Sequence, residues 1–322
     1  MTAPNRLKKA ARELGLGVLI YKLLYAPRNA LRTWNRWGIV NSASTYVGKV
    51  AMEKAVFSLQ PVNTSKKKDK DALDVYFMTG CKYWYQTCFC IYSMQLQTGR
   101  PLHPIIYDDS SLGEKHIREI TRLFPSVEIV SFEDTETKLD RVLPKNKFPT
   151  LRERRIQQPL LRKLTDFHAG EKGWKLFLDS DMLFFKDPTF LISWLQSPRK
   201  PCYMIDVGNF YGYSEALLNS LAQSNLPDKV NIGILGLQSE SIDWEKLEHW
   251  LRTLIKEEGT HYNVTQGLSA MILSNYSCIA APEKDYLLMP CLEEAKLPTA
   301  TMHHYVADSK PSYFRYGWRH FV

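Results

Sequence analysis

Leu176-Phe177-Leu178-Asp179-Ser180-Asp181-Met182-Leu183-Phe184-Phe185 sets two carboxylates at the end of an apolar run, with large apolar residues on both sides. Residues two apart in extended chain point the same way, so Asp179 and Asp181 can converge on one point. Two ionised carboxylates that close repel each other and resist leaving water, unless a cation sits between them or one is protonated. Oxygen donors suit Mg²⁺ or Mn²⁺, ions held by a few carboxylates together with substrate phosphates. The bland alternative is a pair of turn or capping carboxylates. Just beyond, Asp187-Pro188 is expected to cap the helix that follows.

Working outward, the chain from Asp74 alternates short apolar runs with helical periods. Strands are expected at Asp74–Thr79, Leu102–Tyr107, Val127–Phe132 and Trp174–Leu178. Helices are expected at Tyr83–Gln97, Leu112–Phe124 and Leu151–His168, the last a charged amphipathic helix with Arg152, Arg154, Arg155, Arg162 and Lys163. Such alternation implies a mostly parallel sheet with helices on both faces. Ligands of such sheets sit at the carboxyl ends of the strands, where Asp179 and Asp181 are.

At 322 residues, 44% apolar and 24% charged, the chain is long and apolar enough for a sizeable core and too apolar for disorder. Its six cysteines make a poor disulfide framework, so a reduced, cytoplasmic protein is expected. The net charge of +8 is unevenly spread: residues 1–70 hold fourteen Lys or Arg against three acids, +11, and the rest carries −3. The basic pI of about 9.0 thus belongs to an extension over residues 1–70 ahead of a catalytic domain over 71–322, and no nucleic-acid motif accompanies it.

Residues 6–25 read as an amphipathic basic helix. Its apolar stretch is too short to span a bilayer and is interrupted by Lys22, which also spoils a secretory signal. Trp34 and Trp37 among Arg28, Arg32 and Arg36 suit an anionic membrane surface, with a helix packed on the domain as the alternative. The expected place is therefore the cytoplasm, peripheral at the inner face of the membrane. The run Lys66–Lys70 reads as a solvated linker.

Near the other end, His304-Tyr305-Val306-Ala307-Asp308-Ser309-Lys310-Pro311 follows the acid pair at long range. With the strand-end Asp-x-Asp it resembles GT-A-fold glycosyltransferases of family 8, which pair that motif with a late His-x-x-Gly-x-x-Lys-Pro. His304, Lys310 and Pro311 match; Ala307 stands where that family has glycine. Val230-Asn231-Ile232-Gly233-Ile234-Leu235 resembles the family's Asn-x-Gly-Val-Leu strand, and Thr265-Gln266 falls where the family has Asp-Gln. After Phe77-Met78-Thr79, Tyr83 matches a base-contacting tyrosine, while the family's first-strand acids are missing.

The resemblance implies a GT-A fold for nucleotide-diphospho-sugar transfer, with a basic helical N-terminal extension added. It implies movement of a hexose from a UDP-sugar to a glycan, lipid-linked or small-molecule hydroxyl acceptor, with retained configuration. Asp179, Asp181 and His304 would hold the metal, and the histidine favours Mn²⁺ over Mg²⁺. Thr79, Tyr83, Arg162 and Lys310 would contact the donor with the two acids; Asn231 would face the sugar and Gln266 the reacting centre. Two rivals stand beside this reading. One is a sugar-nucleotide-binding protein of the same fold that has lost turnover, favoured by Ala307, Thr265 and the missing first-strand acids. The other is a haloacid-dehalogenase-type phosphatase, disfavoured because Leu183 replaces the Thr or Val expected there and three strands precede the motif.

Overall fold

The computed structural model describes residues 36–62 and 72–322. They belong to two compact units, one ending at Ala51 and one running from Met52 to Val322. The expected helix over 6–25, Trp34 and the lysine run 66–70 lie outside the described residues. Helix Ile39–Ala55 spans the junction in the sequence. Among the described residues, no helix is long and apolar enough to cross a membrane.

In the larger unit, β1 (Leu73–Thr79), β2 (Leu102–Asp108), β3 (Glu128–Val130) and β4 (Trp174–Leu178) follow the expected alternation. They join β6 (Cys202–Ile205), β7 (Val230–Gln238) and β8 (Ile279–Ala280) in a seven-stranded sheet of order β3-β2-β1-β4-β7-β6-β8. β1 lies between β2 and β4 with all three parallel. Only β7 is reversed, antiparallel to both β4 and β6. Its first eight residues are all buried, as an inner strand covered on both faces requires. The sheet is mostly parallel with helices flanking it.

At Asp179 the chain leaves this sheet for a second one. There β5 (Met182–Phe184), β9 (Tyr286–Leu288) and β10 (Met302–His304) form a three-stranded sheet with β10 central. The antiparallel β5–β10 register sets Met182 opposite His304. The turn that carries both acids is therefore tied into two sheets at once.

Helix Trp84–Gln97 supports that turn from beneath. Trp84 through Met94 are all buried, so it is a core helix rather than a surface one. Thr87, Cys90 and Ser93 share one face through their three-residue spacing. The Thr87 hydroxyl bonds Ser180 Oγ at 2.8 Å, Cys90 Sγ reaches the Asp179 carbonyl at 3.6 Å, and Ser93 Oγ accepts from Phe184 N at 3.1 Å. Small side chains at these positions let the helix approach the turn closely. All six cysteines are free thiols.

Two expectations need correction. The helix expected over Leu151–His168 is broken: Pro149–Gln157 and Arg162–His168 flank a tight turn at Pro159–Leu161, because a proline cannot continue a helix. Basic residues of both halves are turned inward. Arg152, Arg155, Arg162 and Lys163 are all at most 4% exposed. Acids from other elements meet them: Arg152 pairs with Glu136 and Asp140, and Arg155 with Glu136 and Asp166. Asp187 does not cap the next helix; Thr189–Gln196 begins after Pro188 with no side-chain cap. Tyr313 and Trp318, near the end of the chain, are buried in the core.

Candidate metal and donor site

Three strands from two sheets meet at the acid pair. Asp179 directly follows β4, and its amide donates to the Gly233 carbonyl of β7 at 2.8 Å. The Asp181 carbonyl accepts from Tyr305 N, just after β10, at 2.9 Å. These backbone bonds bring together residues 123 positions apart in sequence: His304 Nε2 lies 3.1 Å from Asp181 Oδ1 and 3.7 Å from Asp179 Oδ2. One ligand atom from each of Asp179, Asp181 and His304 falls within 4.8 Å of the others.

Gly233 makes room for the histidine. A Cβ built there would overlap the His304 ring at Cε1 and Nδ1, so the glycine is required by close approach, not by a turn. His304 is buried, and its Nδ1 has no hydrogen-bond partner. Its other nitrogen, Nε2, faces the carboxylates. Two carboxylate oxygens and an imidazole nitrogen converging in this way fit a small divalent cation.

Lys310 donates to Asp181 Oδ2 from the first turn of helix Lys310–Arg315. Burial opposes ionisation of Asp181, but the positive charge of Lys310 and the contact with His304 outweigh it and hold this carboxyl well below the usual range. Ala307, in the loop between β10 and that helix, has φ +45°, the left-handed region that glycine favours. Ala307 thus holds a conformation that costs an alanine more than a glycine.

The other expected residues fall into two groups. Gln266 lies on the buried helix Val264–Leu273 and donates to Asp206 Oδ2 at 3.1 Å. Asn231 donates to the same oxygen at 2.8 Å, and its own Oδ1 accepts from Gly233 N at 2.8 Å. Asp206 thus ties the two amides together and links them through Gly233 to His304. Tyr83 stands 53% exposed just before helix Trp84–Gln97. Thr79 and Arg162, by contrast, are engaged with the protein. Thr79 is buried and bonds the Thr87 hydroxyl at 2.8 Å, underpinning the acid turn. Arg162 donates to Asp166 at 2.7 Å and to the Asp108 carbonyl at 2.8 Å.

Sequence reasoning missed three residues here. Lys163, one position beyond Arg162, reaches Asp179 Oδ1 at 2.7 Å. Only the phase of the helix after Pro159 decides which of the two basic residues points at the acid. Asp206 had a signal, since it follows the apolar run Cys202–Ile205 as Asp179 follows β4. Tyr262 is 79% exposed yet close to the site. Partial enclosure, then the negative charge of Asp179, raises its phenol pKa.

The sequence matches no family model and no curated protein. Solved structures do resemble it. The galactosyltransferase LgtC in complex with donor and acceptor sugar analogs superposes with TM-score 0.52 at 14% identity, covering 77% of this chain and 94% of LgtC. The bifunctional glycosyltransferase WbbM gives TM-score 0.50 at 14% identity, covering 77% of this chain and 48% of WbbM. Mouse xyloside xylosyltransferase 1 gives TM-score 0.50 at 9% identity, covering 74% of this chain and 99% of that one. At these identities the shared property is the fold, and it is that of GT-A-type glycosyltransferases.

Two substitutions test this construction. Gly233→Ala drives a methyl group into the His304 ring and is expected to cost about 1–3 kcal/mol in urea unfolding. Unchanged stability contradicts the close approach. Ala307→Gly relieves the left-handed alanine and is expected to add about 1 kcal/mol of stability, read from the same unfolding curves.

Proposed function

We propose that the protein is a glycosyltransferase that moves a hexose from a UDP-sugar to a hydroxyl acceptor with retention of configuration, using Mn²⁺ in preference to Mg²⁺. The observation that carries this reading is the convergence of Asp179, Asp181 and His304 from two sheets, with Lys310 against Asp181.

Breaking the bond between a sugar and a nucleoside diphosphate is hard because the leaving diphosphate gains negative charge. A divalent cation at Asp179, Asp181 and His304 would supply Lewis-acid stabilisation of that charge. Lys310 adds an ammonium beside the same oxygens. Tyr83, exposed at the carboxyl edge of β1, is suited to stack on the nucleotide base. Gln266 and Asn231, held by Asp206, would orient the sugar from below. A fixed pair of amides suits this task, since orientation alone lowers a barrier when the reacting atoms are held in place. The hydroxyl acceptor would be a glycan, lipid-linked or a small molecule.

A sugar-nucleotide-binding protein without turnover is the alternative, favoured by Ala307, Thr265 and the missing first-strand acids. Residues 1–70 would hold the protein to an anionic membrane surface, placing it in the cytoplasm at the inner face. Their +11 charge supports this, as do Ile39, Val40, Tyr46 and Val47, all at least 64% exposed on helix Ile39–Ala55.

Asp181→Asn keeps the volume and removes a charge. Turnover of UDP-sugar is expected to fall at least a hundredfold, about 3–4 kcal/mol of transition-state stabilisation, while the thermal melt shows a folded protein. Wild-type turnover in this variant overturns the role of the acid pair. Deleting residues 1–35 removes seven of the fourteen basic residues and is expected to weaken cosedimentation with phosphatidylserine vesicles; unchanged cosedimentation contradicts the membrane role.

A further inference from the structure

Each acid of the pair is already matched by a lysine, and the two lysines are placed very differently. Lys163 Nζ lies 2.7 Å from Asp179 Oδ1, from a side chain only 2% exposed. It also donates to the Ile232 carbonyl at 3.3 Å and sits 4.5 Å from the Phe177 ring centroid. An ammonium enclosed this way has neither water nor another anion to move to, so breaking the pair would strand a buried charge. Lys310 meets Asp181 Oδ2 from a side chain 26% exposed, at the start of a helix near the chain's end. A partly solvated lysine exchanges partners at little cost.

The oxygens divide accordingly. Lys163 occupies Oδ1 of Asp179 and leaves Oδ2 turned toward His304. Asp181 has Oδ1 against His304 Nε2 and Oδ2 against Lys310. In the free protein the two negative charges are thus balanced by two positive ones, and the acids are poor ligands for a cation that arrives alone.

Resting on the donor-site reading above, we propose that Lys310 is an exchangeable counter-ion and Lys163 a fixed one. When a nucleoside diphosphate arrives, Lys310 leaves Asp181 for the phosphate oxygens and frees Asp181 Oδ2 as a metal ligand. Lys163 stays on Asp179 as a positioning residue that keeps one oxygen of that carboxylate facing inward. Metal and nucleotide affinities are then coupled through the position of Lys310, and by linkage the coupling is reciprocal.

The test is a Mn²⁺ titration of the full chain, followed by the electron paramagnetic resonance signal of the free ion, with and without saturating UDP. A protein-free Mn²⁺–UDP control is subtracted. The wild type is expected to bind Mn²⁺ at least tenfold more tightly with UDP than without it. Lys310→Gln is expected to bind Mn²⁺ alone about tenfold more tightly than the wild type, because Asp181 is no longer neutralised, and to lose most of the UDP effect. Lys163→Gln is expected to keep the UDP effect, since the exchangeable lysine is intact. Near-UV circular dichroism checks that each variant is folded, and Lys310→Gln alone decides the matter if Lys163→Gln is not. Equal wild-type affinities with and without UDP overturn the inference, as does a Lys310→Gln protein with unchanged affinity for Mn²⁺ alone. Both results leave the donor-site reading standing. Absence of Mn²⁺ binding under every condition overturns that reading and this inference together.

Discussion

Two carboxylates two residues apart at the tip of a buried strand are a constraint that the rest of the larger unit resolves. Left alone, Asp179 and Asp181 would repel each other in a region with little water to solvate them. The fold answers with His304 Nε2 between them, Lys163 on one side and Lys310 on the other. Each comes from a different element, so the acid pair can exist only when β4, β5, β7, β10 and two helices are all in place. Charge balance at one turn is thereby linked to the topology of both sheets.

The support of that turn is built from small side chains and backbone. Thr87, Cys90 and Ser93 on the buried stretch of helix Trp84–Gln97 hold Ser180, Asp179 and Phe184 from beneath. Gly233 yields the space that the His304 ring fills. Asp206 joins Asn231 and Gln266, and Asn231 in turn holds the Gly233 amide, so a continuous chain of hydrogen bonds runs from the helix Val264–Leu273 to the strand beside the histidine. Satisfied networks of this kind fix geometry because every member has a defined partner. That rigidity is what an orientation-dependent transfer needs.

How much of this was legible in the sequence depends on the range of the interaction. The apolar strands and the Asp179–Asp181 turn were readable because a period of two and a strand end are local properties. His304 and Lys310 were readable from their motif, although what places them beside the acids is the β5–β10 register, a tertiary fact. The reversal of β7 carries no local mark, since a doubly covered strand looks the same in either direction. Lys163 was hidden behind Arg162: a break at Pro159 sets the helix phase, and one residue of phase decides which cation meets Asp179 and which meets Asp166. The burial of Arg152 and Arg155 had no local mark, because the acids that meet them, Glu136 and Asp140, lie on another helix. Ala307 read as a departure from glycine, and its backbone has a positive φ of 45°.

The most direct test of the central claim is crystallographic: an anomalous difference map at the manganese edge from crystals grown with Mn²⁺ and UDP. The account predicts one strong peak in contact with an oxygen of Asp179, an oxygen of Asp181 and His304 Nε2, beside the UDP diphosphate. A peak elsewhere, or UDP bound with no metal at these three residues, would contradict it.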